Sequence, residues 1–128
     1  MSHPNYILSL LDPQVLKAMS AHLAVTRLEF GHVVAEPHET IRRVYFPHSG
    51  ILSCVVETRG GGAIETGMIG KDGVFGALQA LDERVSLNRV VVQIDGEASV
   101  IEPGKLRQIA MEMPKALDVL MRLSLVHI

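Results

Sequence analysis

The stretch 66–94, TGMIGKDGVFGALQALDERVSLNRVVVQI, constrains this chain more than any other. Glycines stand at 67, 70, 73 and 76, with no proline among them. Glycine loses more conformational freedom on folding than any other residue, so such a cluster marks backbone that needs positive φ or close approach to something else. The run is too short, and too poor in proline, for collagen, so it predicts a local bend. Residues 77–81 (ALQAL) then read as one helical turn, 82–88 as a polar loop, and Val90, Val91, Val92 and Ile94 as a β-branched strand. A bend that runs into a helix N-terminus leaves free N–H groups and a positive dipole end, an arrangement that suits an anion. A tight corner in a β-barrel that binds nothing carries the same signature. The residues alone leave both open.

On either side the period of the sequence changes. Asp12-Pro13 opens a helix, with Asp as cap and Pro at the first helical position. Val15, Leu16, Met19 and Leu23 give it one apolar face. Residues 6–11 read as a short helical turn before it. Strands are expected at 24–30, 32–35, 41–46, 51–57, 63–68, 90–94 and 98–101, separated by turns rich in Gly, Pro and Asp. Asp95-Gly96 reads as a tight hairpin. Short strands at this spacing indicate a mainly β domain, an antiparallel β-roll or jelly roll, with helices at both ends. Pro103 and Pro114 each start a helix in the tail.

The chain has 128 residues, 48% of them apolar, enough for one domain with a real core. A net charge of −2 argues against nucleic-acid binding by these residues themselves. The single cysteine, Cys54, excludes a disulfide framework and a four-cysteine cluster within the chain. No apolar run reaches the ~18 residues of a membrane span. The first residues lack the basic n-region of a signal peptide, so the cytoplasm is the expected location.

Six histidines invite a metal reading. His32 and His38, with Glu39 beside the second, are the nearest approach to a cupin-like metal enzyme. Such a site needs three or four converging ligands, and this spacing does not supply them. Cys54 reads as a small core residue of an apolar strand. No Ser-His-Asp or Cys-His grouping points to nucleophilic catalysis. The expectation is therefore no enzyme, no metal and no resident cofactor.

Several stretches, taken in order, resemble the N-terminal sensor domain of Crp/Fnr-type transcription regulators, the cyclic nucleotide-binding-like β-roll. They are Gly31 after the first strand, the PHETI stretch at 37–41, VYFPHSG at 44–50, Val74-Phe75-Gly76, and DGEA at 95–98. The Tyr-Phe-x-x-x-Gly pattern at 45–50 is the most telling. The resemblance implies a sensor domain over 1–113 and the start of a dimerisation helix over 114–128, the DNA-binding helix-turn-helix being absent from these residues. It places the ligand pocket at Gly73, Val74, Phe75, Gly76, Ala77, Leu78, Leu87, Asn88 and Arg89. It implies a homodimer through the last helix, with Leu117, Leu120, Met121 and Ser124 as contacts; their three-to-four-residue spacing is close to a coiled-coil seam.

The departures bear on the ligand. Family members that bind cyclic nucleotides follow the glycine with Glu, for the ribose hydroxyl, and carry an arginine about ten residues later, for the phosphate. Here Ala77 follows Gly76, and the arginine position falls at Ser86 or Leu87. Arg89 comes two or three residues late, and in a strand an odd shift moves a side chain to the opposite face. A buried phosphate needs a bidentate cation or several donors. Ordinary cyclic AMP binding is therefore not expected, and the pocket is expected to be mainly apolar, around Val74, Phe75, Leu78, Leu81 and Leu87. The alternative is a β-roll that has lost its ligand and serves only as a dimerisation or protein-contact module.

Overall fold

A computed structural model describes residues 3–82 and 85–126, with side chains described as far as Arg122 at the C-terminal end. Two antiparallel sheets face each other across the core. Sheet one has the order β1-β7-β3, from Ala24–Leu28, Gly96–Ile101 and Val44–Pro47. Sheet two has the order β2-β6-β4-β5, from Val33–Ala35, Arg89–Ile94, Ile51–Glu57 and Ala63–Ile69. Phe46, Leu52, Val90 and Val92 meet inside, fully or almost fully buried. Helices α1 (Tyr6–Ser9) and α2 (Pro13–Ser20) precede the sheets, α3 (Ala77–Asp82) follows the glycine bend, and α4 (Pro103–Glu112) and α5 (Pro114–Val126) follow β7. The mainly β, antiparallel fold with flanking helices is the one expected. No helix among the described residues is long and apolar enough to cross a membrane.

The local reasons match the sequence. Asp12 caps α2 by accepting from the Gln14 N–H, and Pro13 opens its first turn. The loop after β4 closes through Thr58 N–H to Gly62 O, which sets the β4–β5 pairing. The third expected strand begins late, at Val44. Residues 41–43 form no strand; Ile41 instead turns its side chain inward, buried beneath Gly76.

Asp95-Gly96 is not a hairpin. β6 and β7 belong to different sheets, and the chain crosses between them at Asp95. β3 and β4 cross in the same way at His48–Gly50. The two crossings lie backbone against backbone: a Cβ on Gly50 would sit 2.6 Å from the Ile94 carbonyl oxygen, and one on Gly96 would collide with the Ser49 carbonyl. Gly50 also holds φ at +80°. Close approach therefore accounts for the glycine of the Tyr-Phe-x-x-x-Gly pattern.

Helix α5 packs on α3 and α4. Leu120 and Ala116 are fully buried in the core of this chain, so Leu120 is not free to be a dimer contact. The same spacing serves a helix that lies against its own domain and one that lies against a partner. Leu117 and Met121 stay exposed, at 36% and 42%. Ser124 lies outside the residues whose side chains are described.

Candidate ligand site

The glycine bend is held at both ends. A turn closes Gly73 N–H on Gly70 O, and Phe75 exchanges two backbone bonds with Tyr45 of β3, each 2.9 Å. Those bonds lay Val74 and Phe75 against the sheet edge as buried residues. Gly76 then takes φ +94°, and a Cβ there would sit 3.0 Å from Ile41 Cδ1 and 3.3 Å from the Arg43 carbonyl oxygen. Positive φ and lack of room together explain glycine at this point. Its carbonyl accepts from the Ala80 N–H, which starts α3.

Beneath this turn lies a cavity of about 140 Å³ between the bend, α3, the 86–90 segment and the inner face of β4–β5. Of the candidate residues, Val74, Phe75, Gly76, Ala77, Leu78, Leu87 and Asn88 line it. Gly73 does not; it faces a wider, open depression of about 650 Å³ beside Lys71, Ser49 and Ile94. Leu81, expected at the pocket, packs against the core without lining the cavity. Cys54, Ile69, Gln79, Ser86 and Val90 line the cavity without having been expected there. Cys54 and Ile69 come from strands that precede the bend, and only the sheet pairing brings them under it.

Among the described residues no charged side chain lines this cavity. Ala77 is buried where the resemblance would require an acid. Ser86 is buried too, and its hydroxyl donates locally to the Asn88 carbonyl at 2.6 Å; Leu87 is exposed. Burial, and secondarily the Glu65 carboxylate, hold the Cys54 thiol above its ordinary pKa, so it is neutral at physiological pH.

Arg89 does not line the cavity. Its Nε donates to Glu36 at 2.7 Å and its NH1 lies 2.7 Å from a Glu57 carboxylate oxygen. Those bonds, Glu36 first, hold the guanidinium charged. The two acids sit on the segment after β2 and at the end of β4, and they clamp the arginine across the strands. His32 and His38 are both exposed, His38 in a turn with φ +66°. Among the described residues no three His, Cys, Asp or Glu side chains come together as a metal site would require.

No protein-family profile and no curated protein matches the sequence. Solved structures do match in fold. The N-terminal domain of a transcriptional regulator from Streptomyces coelicolor A3(2) superposes with a TM-score of 0.75 at 16% identity, over 93% of this chain and 83% of that one. The catabolite activator protein of Thermus thermophilus gives 0.76 at 17% identity, over 94% of this chain and 56% of its own. The regulatory subunit of a cAMP-independent protein kinase A from Trypanosoma brucei, as a mutant bound to cAMP in its A site, gives 0.76 at 21%, over 94% and 43%. This chain thus spans about half of the last two proteins. It has the fold shared by these regulatory domains, the cyclic nucleotide-binding-domain fold.

Proposed function

We propose that this chain is the effector-sensing domain of a Crp/Fnr-like transcription regulator, working in the cytoplasm as a homodimer. DNA would be contacted only by a domain outside these residues, and no catalysis is involved. The observation that carries the reading is the largely apolar cavity, with no charged side chain among its described lining residues, where the resemblance places the ligand. Its effector would be smaller and less charged than a cyclic nucleotide. The packing connects the cavity to the last helix: α3 forms one wall of the cavity and touches α4 and α5, and Arg107 Nε of α4 donates to the Ala80 carbonyl of α3 at 2.8 Å. An effector that favours one position of α3 would bias α5 with it. The coding sequence downstream of Ile128 tests this. A helix-turn-helix there is expected; a stop codon or an unrelated domain would remove the regulator reading.

One observation favours a second reading. The cavity's 140 Å³ is well below the roughly 300–1,000 Å³ of ordinary ligand pockets. A roll that has lost its ligand and serves only as a dimerisation or protein-contact module would look the same in size.

A further inference from the structure

Asn5 is fully buried, and every polar atom of its side chain is used. Its Nδ2 donates to the Pro47 carbonyl at 2.8 Å and to the Gly73 carbonyl at 2.9 Å. Its Oδ1 accepts from the Leu8 N–H at 3.2 Å, which caps α1. The next residue repeats the attachment: Tyr6 N–H donates to the Lys71 carbonyl at 2.8 Å. The N-terminal segment is therefore fastened to the glycine bend at Lys71 and Gly73, just ahead of the cavity.

His3 holds Asn5 in place. The Asn5 N–H donates to His3 Nδ1 at 3.0 Å. A ring nitrogen accepts only when it carries no proton, so this bond requires neutral His3. The ring meets that of His48 edge-on, with centroids 5.2 Å apart and an angle of 74°. His48 is fixed in turn, its Nε2 lying 2.6 Å from the buried Ser99 hydroxyl. The charged or titratable groups on the elements around His3 are His48 in the β3–β4 crossing, Lys71 and Asp72 in the bend, and Glu97 on β7. Of these, His48 is the one that acts on its charge.

We infer that His3 makes this attachment an acid-released latch between the N-terminal segment and the glycine bend. Protonation turns Nδ1 from acceptor into donor, so two N–H groups face each other across the Asn5 contact. It also sets a cation against the second imidazole ring, that of His48. Burial first, and His48 second, keep His3 below its ordinary pKa of 6.5 while the latch is closed. The open segment has the ordinary value. The latch is thus at full strength above pH 6.5 and weakens as pH falls from there through the lowered value of the closed form.

Hydrogen exchange of the intact chain tests this at the Tyr6 and Leu8 amides, with intrinsic rates corrected for pH. Their protection should fall by about threefold to tenfold between about pH 7.5 and about pH 5.5, while β4 amides keep theirs. In His3→Gln, which does not titrate, the step should vanish. No step in the unaltered chain, or an equal step in His3→Gln, overturns the latch. If His3→Gln leaves the segment unprotected at every pH, NMR titration of the His3 ring in the unaltered chain decides. A midpoint below 6.5 supports the latch, and one at or above it refutes it.

Discussion

Gly96 faces the backbone of Gly50 with no room for a side chain: a Cβ on Gly96 would come to 2.5 Å from the Gly50 nitrogen and collide with the Ser49 carbonyl. At this point both strand pairs change sheets, so the two sheets are joined through glycine against glycine. Backbone cannot move aside as the end of a flexible side chain can. Gly96→Ala should therefore destabilise the fold by on the order of 3 kcal/mol. Gly104 in α4 is the control, because nothing lies within 4 Å of its Cβ position and its φ is ordinary. Gly104→Ala should stabilise by about 0.5–1 kcal/mol through helix propensity. Chemical denaturation of the two variants checks both signs.

Leu120 and its neighbours on α5 separate stability from association. Leu120 is fully buried, so Leu120→Ala should cost about 2–5 kcal/mol of folding stability. Leu117 and Met121 are exposed, so replacing both by Ala should change monomer stability by less than about 1 kcal/mol. Sedimentation of that double variant should show weaker self-association than the unaltered chain. An unchanged sedimentation profile would remove these residues from any dimer contact. The Arg122–Asp118 pair at 2.6 Å on the same helix is exposed and adds only a few tenths of a kcal/mol.

The strands were legible because alternation and turn residues are local signals. β4 runs over 51–57, as the sequence alone indicates. The parts that escaped depend on partners far away in the chain. Nothing near Arg89 announces Glu36 and Glu57. Cys54 reads as a core residue until pairing with Val90 and Gly67 places it under the bend. The hub at Asn5 was invisible because a lone asparagine near a helix start reads only as a cap. The error at Leu120 has a different origin. A helix that packs against its own domain and one that packs against a partner bury the same positions, so periodicity cannot choose between them. The Asp95-Gly96 misreading arose because a hairpin and a crossing between sheets both need a sharp turn.

Cys54 offers a probe of the cavity. Its thiol lines the wall and has a raised pKa, so little thiolate is present near neutral pH. Alkylation by iodoacetamide should be slower than for an exposed cysteine, and should quicken as pH rises past the ordinary thiol value. A compound that fills the cavity should slow it further, which makes this reaction a screen for the effector. Fast labelling at neutral pH would contradict the placement of the thiol.

The claim that the site is not built for a cyclic nucleotide is tested most directly by calorimetric titration of the chain with cyclic AMP, alongside Arg89→Gln. With no acid at Ala77, no arginine among the described residues that line the cavity, and Arg89 held by Glu36 and Glu57, no saturable heat is expected up to about millimolar ligand for either protein. Binding by the unaltered chain at about micromolar Kd or tighter, lost in Arg89→Gln, would contradict the account and show that Arg89 leaves its carboxylates to reach a phosphate.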